Sequence, residues 1–237
     1  MVNLFLIEKQ ELEQKEIFAV NKPLKWTSND VVSYIKRYYG FKKVGHGGTL
    51  DPLASGVLII GVEKGTKLLS NHLSDTKQYE FTIQLGQLTK SYDLGTDTIE
   101  TKDWNKQMSL DDLKLICDEF KNTDYWQVPP AYSAKKVNGV RAYKLAIESK
   151  EISLKPNLVK LINYEIKTFD INQGKITILI DVSKGFYVRS FAYDLGIKMN
   201  TYATVIELKR TKSGNFSLND CYDFQKNENK NGNNIEK

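Results

Sequence analysis

Residues 43–61 read KVGHGGTLDPLASGVLIIG, and this stretch decides how the rest of the chain is interpreted. The glycine pair at 47–48 permits backbone angles that other residues avoid, and it lets another chain approach closely. Pro52 disfavours helical geometry at Asp51 and pushes that residue toward an extended conformation. The apolar run at residues 57–60 predicts a buried strand directly behind it. We therefore expect the segment to present a single carboxylate on a tight turn.

Asp51 also has an ordinary structural interpretation. An Asp at the N-cap followed by a Pro at the first helical position is a common way to begin a helix. Capping would explain Asp51 and Pro52, but it leaves His46 and the glycine pair at 47–48 unexplained. The loop taken as a whole favours a function, and from these residues alone both interpretations stay open.

The composition is typical of a soluble globular protein: 237 residues, 41% hydrophobic and 27% charged, with a net charge of +5. That length accommodates one large domain, or one domain with a small appendage. The distribution of charge says more than its total. Residues 31–50 and 125–147 contain no acid, and the basic residues of these stretches and of a third group are Lys36, Arg37, Lys42, Lys43; Lys135, Lys136, Arg141, Lys144; and Lys209, Arg210, Lys212. Each could be a solvated face, but three such groups, two with tyrosines among them, favour a nucleic-acid partner.

Several classes of protein are disfavoured. The two cysteines, Cys117 and Cys221, lie far apart in sequence, which is typical of a reduced, cytoplasmic protein. Two histidines without a Cys-x-x-Cys spacing give no metal-site signature. The apolar residues 2–7 have no basic lead and are too short for a signal peptide or a membrane span. We therefore expect neither a metal nor a membrane.

The chain divides into three parts by composition. Residues 1–16 predict a polar N-terminal leader with a short helix at 4–14, residues 17–224 a single domain, and residues 225–237 a disordered tail of Asn, Lys and Glu. Thr27 and Ser109, each with Asp three residues later, predict capping boxes that begin two helices. Strands near both ends, with helices and long loops between them, indicate an α+β domain with a largely antiparallel sheet.

GHGGTLDPLASGVL, residues 45–58, resembles the catalytic loop of the TruB-type pseudouridine synthases, with Gly47 where Thr or Ala is more familiar. From about residue 17 to 216 the chain is similar to the tRNA pseudouridine-55 synthase branch of that family. The further matching blocks, in order, are VNKPLKWTSNDVV, TKQYEFTIQLG, VPPAYSAKKVNGVRAYKLA, SKGFYVRSFAYDLG and ELKRTKSGNF. The departures are mild: Val188 replaces Ile, Ser190 replaces Thr and Lys209 replaces Arg.

The resemblance implies a fold and a function. The fold would be that of pseudouridine synthases, in which a mixed, largely antiparallel central sheet carries helices and loops on its faces and the active cleft crosses its middle. The activity would be isomerisation of uridine 55 in the T-loop of tRNA, with no cofactor. The partner would be the T-arm stem-loop, with no protein partner required and a monomeric enzyme. The chain would also lack the C-terminal RNA-binding module common in the family.

The resemblance also assigns roles within the site. Asp51 would be the nucleophile or base, and the permanently charged Arg189 would keep it ionised despite burial. Tyr79 would stack on the target base, and Leu208 would form an apolar floor. A base inside a folded RNA loop must first be flipped out, and His46 would fill the gap that it leaves.

The remaining assignments concern the grip on RNA and the support of the loop. The insertion at residues 127–152, with Lys135, Lys136 and Arg141, would close over the RNA. Lys22 is placed with the RNA-contacting residues, although Lys22 and Pro23 are expected to shape the loop under Asp51 rather than react.

Each of these residues has a plainer interpretation. Tyr79 would be a core aromatic, Arg189 a surface residue and His46 a turn cap, and Lys22 would belong to an ordinary turn. A glycoside hydrolase would need two carboxylates about 5–10 Å apart, and the matched loops supply one. A phosphate-binding glycine loop would want Lys followed by Ser or Thr. An RNA-binding or RNA-folding module, and a synthase acting on another RNA site, remain as alternatives.

Overall fold

The computed structural model describes residues 1–72, 76–121, 123–137, 139–148 and 153–224. The helices are α1 (Lys9–Lys15), α2 (Ser28–Tyr39), α3 (Leu69–His72), α4 (Leu110–Phe120), α5 (Ala142–Ile147) and α6 (Val188–Lys198), with short 3-10 turns at Leu4–Leu6, Glu63–Lys67 and Leu218–Asp220. The strands are β1 (Ile17–Lys22), β2 (Val44–His46), β3 (Ala54–Val62), β4 (Lys77–Leu85), β5 (Gln87–Thr89), β6 (Thr98–Thr101), β7 (Tyr125–Gln127), β8 (Lys136–Val137), β9 (Val140–Arg141), β10 (Asn157–Val159), β11 (Leu161–Asp170), β12 (Lys175–Val182), β13 (Ala203–Ser213), β14 (Phe216–Ser217) and β15 (Cys221–Asp223).

One large sheet organises the molecule. Its strand order is β11-β12-β4-β13-β3-β1-β15, with β14 added beside β13 and β2 beside β3. The pairs β1–β15 and β3–β13 are parallel, and the other pairs of this sheet are antiparallel. With helices packed on it, the structure confirms the predicted α+β class with a mixed, largely antiparallel central sheet.

The local signals in the sequence are confirmed at the helix starts. Thr27 accepts a hydrogen bond from the Asp30 backbone while Asp30 accepts one from Thr27, and Ser109 and Asp112 do the same at the start of α4. Each reciprocal pair satisfies two backbone N–H groups that a helix start leaves without partners. Gly40 ends α2 in the left-handed conformation.

The interpretation of Asp51 as a helix N-cap is wrong. Pro52 and Leu53 form a turn that leads into a strand, β3, and the Ala54 N–H closes this turn on the Asp51 carbonyl at 3.0 Å. The expected buried strand behind the loop is confirmed, since Val57, Leu58, Ile59 and Ile60 are completely buried. Burying these four apolar side chains in a strand stabilises the protein more than a helix that begins at Pro52 would.

Two hydrophobic clusters lie along the sheet. The first packs α4 and α6 on β4, β11 and β12, with Phe81, Phe191 and Ile178 at its centre. The second packs α2 and the N-terminal segment on β1 and β3, around Val31, Ile35 and Leu58. Tyr79 and Leu208 are partly buried and contact both clusters. The groove between the clusters therefore crosses the sheet at Tyr79 and Leu208.

Residues 1–16 differ from the polar leader that was expected. Their helical part is shorter, at Leu4–Leu6 and Lys9–Lys15. Leu4, Phe5 and Leu12 are buried in the second cluster, and Phe5 meets Phe224 edge-on with ring centroids 5.2 Å apart. The many polar residues of this segment made its apolar face hard to recognise in the sequence, yet Leu4, Phe5 and Leu12 form that face and pack in the same cluster as α2. The tail at residues 225–237 and part of the 127–152 insertion lie outside the described residues.

None of the described helices is both long and apolar enough to cross a lipid bilayer.

Replacing a buried leucine of the N-terminal segment should destabilise the whole domain. Leu12 is completely buried, so Leu12→Ala should lower the free energy of unfolding by about 2–5 kcal/mol, because it leaves a cavity in the second cluster. Leu115→Ala, at a leucine that is 67% exposed on α4, is the matched control and should change it by about 0.5 kcal/mol or less. Urea denaturation measures both, and equal small losses would show that residues 1–16 are an appendage.

Candidate active site

A cavity of about 680 Å³ opens in the groove between the two clusters. Its walls include four of the residues that the sequence assigned to the site: Asp51, Tyr79, Arg189 and Leu208. The volume falls within the roughly 300–1,000 Å³ that is typical of small-molecule sites. Side chains from four separate parts of the sequence therefore meet around one space large enough for a nucleotide.

An ion pair between Asp51 and Arg189 lies in the wall of this cavity. The Arg189 Nε donates a hydrogen bond to the Asp51 Oδ2 at 2.9 Å. The side chain of Arg189 is only 4% exposed, whereas that of Asp51 is 35% exposed. The Asp51 carboxylate is therefore partly open to the cavity, and the buried, permanently charged guanidinium of Arg189 lies behind it.

The rest of the guanidinium is held by backbone from two other segments. Nη1 donates to the Ser91 carbonyl at 2.8 Å, and Nη2 donates to the Tyr132 carbonyl at 3.0 Å. Arg189 lies in the first turn of α6, and this helix start fixes the position of its Cα atom. A planar fork of donors makes these several contacts at once in a way that a lysine ammonium cannot.

A second carboxylate, Asp93, approaches the same guanidinium, with its Oδ2 3.5 Å from the Arg189 Nε. Its Oδ1 accepts hydrogen bonds from the Ser91 hydroxyl at 2.5 Å and from the Gly95 backbone at 2.9 Å. The sequence analysis did not assign Asp93 to the site. The sequence signal that could have indicated it is the turn-forming segment SYDLG at residues 91–95, in which a Ser precedes the Asp by two residues.

Tyr79 and Leu208 come from neighbouring strands. Tyr79 on β4 pairs with Arg210 on β13, and Leu208 on β13 pairs with Phe81 on β4 and with Ala54 on β3. Strand alternation places residues two apart on one face, so Leu208 and Arg210 share a face of β13. Their position between the clusters leaves the ring of Tyr79 and the side chain of Leu208 partly open to the cavity.

Lys22 is completely buried and lies behind the loop rather than in the cavity. Its ammonium group donates to the carbonyls of Pro23, Trp26 and Pro52 at 2.8, 2.5 and 3.5 Å. Burial lowers the pKa of Lys22 to about 8, and the charge of Asp51 opposes that shift. This placement fits the expected role in shaping the loop, and the burial leaves no surface for a contact with RNA.

His46 ends β2, where it pairs with Ile60 of β3. It is not among the residues that line the cavity. Burial, followed by the charge of Arg210, lowers the pKa of His46 and favours the neutral ring. Its Nδ1 is buried and has no hydrogen-bond partner within the described part of the chain.

The three basic residues of the insertion occupy different places. Lys135 lines the cavity, and its ammonium donates to the Asn157 side chain at 2.6 Å. Lys136 and Arg141 face each other across the small β8–β9 hairpin and are exposed. Lys135 therefore lies at the cavity, whereas Lys136 and Arg141 lie outside its lining and are exposed.

The start of the insertion is tied to the start of α6. The completely buried side chain of Gln127 accepts from the Tyr187 N–H at 2.7 Å and donates to the Tyr187 carbonyl at 3.0 Å. The Ser190 hydroxyl donates to the Val128 carbonyl at 2.7 Å. These contacts flank Arg189 on both sides, so the base of the insertion and the arginine of the site share one rigid support. Sequence reasoning had no local signal for Gln127.

Several known proteins are similar to this chain over most of its length. A tRNA pseudouridine synthase B from Ureaplasma parvum is 45% identical over 91% of this chain and 97% of its own length. The protein of the same name from Malacoplasma penetrans is 40% identical over 92% of this chain and 94% of its own. The solved structure of a Cbf5-Nop10-Gar1 complex superposes with a TM-score of 0.67 at 26% identity and covers 89% of this chain. This chain spans about half the length of that solved chain, 52%.

The fold is that of the pseudouridine synthases, which are isomerases. The sequence profile of the TruB family pseudouridylate synthase (N terminal domain) matches residues 36–188. The chain therefore belongs to the TruB family.

The buried lysine predicts a pH dependence of stability. The pKa of Lys22 lies near 8 in the folded protein, against 10.5 for an ordinary lysine, so between these values the unfolded chain binds more protons. The free energy of unfolding should therefore rise with pH across this window, by up to about 1.4 kcal/mol per pH unit. Relative to Lys22→Met, the wild-type protein should gain about 2 kcal/mol between pH 8 and 10, measured by urea denaturation. A difference between the two proteins that stays constant with pH would contradict the lowered pKa.

Proposed function

We propose that this protein isomerises uridine 55 in the T-loop of tRNA to pseudouridine, with Asp51 as the reacting carboxylate. The observation that carries the proposal is the ion pair of Asp51 with the buried Arg189 in the wall of a cavity that also contains Tyr79 and Leu208. Relatives that match nearly the whole chain are named tRNA pseudouridine synthase B, which supports tRNA as the substrate.

The reaction makes modest demands on the protein. The bond from C1′ of the ribose to N1 of uracil breaks, and a bond from C1′ to C5 forms. N1 takes up a proton and C5 loses one, so nothing is oxidised and no group enters or leaves. No cofactor is required. The site needs an ionised carboxylate to attack the nucleotide or accept a proton, and a means to hold the detached base.

In this proposal Arg189 is the partner of the reacting carboxylate of Asp51, and its guanidinium is held in place because three of its nitrogens donate to separate segments. Tyr79 offers a flat ring on which uracil stacks, and its hydroxyl is the group for proton transfer near the base. Leu208 supplies the apolar floor against which the base packs.

A uridine in a folded loop reaches Asp51 only after it is flipped out, at a cost of a few kcal/mol. We assign His46 to the gap that the base leaves. His46 ends β2 and is not among the residues that line the cavity, which supports a role outside the space taken by the flipped base. A neutral ring stacks between bases without a desolvation penalty for charge, and burial favours that form of His46.

The second carboxylate raises the question of glycoside hydrolysis again. A hydrolase of that kind needs one protonated carboxyl group to donate to the leaving group. Asp93 instead accepts from Ser91 and Gly95 and faces the Arg189 guanidinium, and it is 12% exposed. It is held as a hydrogen-bond acceptor, so we assign it to the orientation of Arg189.

Neutralising the carboxylate should abolish catalysis while leaving RNA binding. Asp51→Asn keeps the shape but removes the charge, so we expect a loss of activity of at least about 1,000-fold. The assay measures pseudouridine formation in a T-arm stem-loop, monitored by the release of tritium from uridine labelled at C5. Binding of the same RNA should change by less than about tenfold.

Asp97→Asn, at an exposed aspartate of the same charge, is the matched control and should retain wild-type rates. In cells, tRNA should lose pseudouridine at position 55 with Asp51→Asn. If that variant keeps the modification, the protein is an RNA-binding or RNA-folding module, and a loss at a different uridine would reassign the target.

The affinity for RNA should depend steeply on salt, because exposed cations of the insertion contact phosphates and release counterions. Lys136→Gln should weaken binding and reduce the slope of log K against log salt by about 1, with kcat unchanged. Lys106→Gln, at an exposed lysine outside the three basic groups, is the charge-matched control and should leave the affinity and its salt slope unchanged. A slope near zero for the wild-type protein would contradict a grip through phosphates.

A further inference from the structure

Arg210 is the largest fully buried side chain in the described part of the molecule, at 1% exposure. Sequence reasoning grouped it with Lys209 and Lys212 as part of a basic surface, and the structure contradicts this for Arg210 alone. Lys209 and Lys212 are exposed, whereas Arg210 is buried. Strand alternation puts Lys209 and Arg210 on opposite faces of β13, and the register of β13 against β4 shifts between Arg210 and Lys212, which interrupts the alternation before Lys212.

The guanidinium of Arg210 lies beneath the loop that carries Asp51. Its Nη2 donates to the Gly48 carbonyl at 3.2 Å and its Nη1 to the Thr49 carbonyl at 3.4 Å. Its Nε donates to the Val57 carbonyl at 2.7 Å, on the strand that leaves the loop. One side chain therefore joins the backbone just before Asp51 to the backbone just after it.

The backbone of Arg210 is equally constrained. It pairs with Tyr79 on one side and with Gly56 on the other. A Cβ at Gly56 would lie 2.2 Å from the Arg210 carbonyl oxygen, so only glycine permits this approach. Gly56 has a φ of +105°, which also favours glycine. The backbone position of Arg210 is thus fixed relative to both β4, which carries Tyr79, and β3, which follows the Asp51 loop.

The partners of Arg210 are all neutral carbonyl groups. No carboxylate lies within 4 Å of its guanidinium among the residues that the structure describes. Arginine does not lose its proton in proteins, so burial without an acid is costly and cannot be relieved by neutralisation. A core position that only needed filling would be occupied at lower cost by an apolar side chain.

We infer that Arg210 is a positioning residue for the isomerisation: it fixes the backbone at residues 48–49 and thereby sets the position of the Asp51 carboxylate between Arg189 and Tyr79. This inference rests on the proposed function. The ion pair with Arg189 orients the carboxylate group itself, whereas Arg210 holds the chain from which it extends. Displacement of a reacting group by about 1 Å can reduce a rate by about 100-fold.

The test is a comparison of Arg210→Lys with Lys209→Met. Lysine keeps the charge, but its single ammonium cannot reach the carbonyls of Gly48, Thr49 and Val57 together. For Arg210→Lys we expect kcat on the T-arm stem-loop to fall by about 10- to 100-fold, with KM within about threefold of wild type. Lys209→Met removes the adjacent exposed charge, so it should affect KM if anything and leave kcat unchanged.

Amide hydrogen exchange gives a readout that does not depend on activity. In Arg210→Lys the amides of residues 47–51 should exchange at least about tenfold faster, whereas those of β1, β4 and β12 should keep wild-type protection. The measurement is made below the unfolding transition of the variant, so reduced stability does not obscure it. Arg210→Met should show the same pattern, with a kcat no higher than that of Arg210→Lys.

The outcomes are distinguishable. Wild-type kcat in Arg210→Lys, or faster exchange spread evenly through β3, β4 and β13, would overturn the inference and leave Arg210 a purely structural residue. Loss of kcat with unchanged exchange at residues 47–51 would also overturn it. A wild-type protein that makes no pseudouridine in any RNA would instead overturn the proposed function, while the exchange result would still report whether Arg210 holds the loop.

Discussion

The contact on which the site depends is the hydrogen-bonded ion pair between the Arg189 Nε and the Asp51 Oδ2, at 2.9 Å. The side chain of Arg189 is 4% exposed and that of Asp51 is 35% exposed, so the pair joins a buried permanent charge to a carboxylate that is partly open to the cavity. A guanidinium is tolerated in such a place only when its own donors are satisfied. Here they are satisfied by the carbonyls of Ser91 and Tyr132, which lie on two separate segments. Removal of the guanidinium would leave Asp51 without its ion-pair partner, whereas removal of Asp51 would leave the guanidinium facing Asp93 at 3.5 Å.

The central sheet brings the members of the site together. β3 begins directly after the Asp51 turn and runs parallel to β13, so Ala54 and Leu208 are neighbours at the edge of the cavity. β4 lies antiparallel on the other side of β13 and contributes Tyr79. Because two helical layers pack on different parts of this sheet, a groove remains between them where these strands meet. The cleft is therefore a consequence of how the clusters divide the sheet.

Three buried cations surround the loop, and each has a different role. Arg189 binds the carboxylate, Arg210 binds carbonyls before and after it, and Lys22 binds carbonyls on its far side. The two arginines keep their charge at every accessible pH, whereas burial lowers the pKa of Lys22 to about 8. Such a site is net positive when Asp51 and Asp93 are counted against it, and a polyanionic substrate would bring the missing negative charge.

The sequence by itself determined the local features: the capping boxes at Thr27 and Ser109, the turn that presents Asp51, the buried strand after it and the alternation around Tyr79. These depend on neighbours within a few residues, whose spacing is visible in the chain. Only the tertiary structure decided that Asp93 shares the guanidinium of Arg189, that Arg210 lies under the loop and that residues 1–16 belong to the core. Those facts depend on which distant backbone groups a long side chain reaches after folding. No local pattern records the partners of a buried charge, because they are supplied by segments that only the packed sheet brings together.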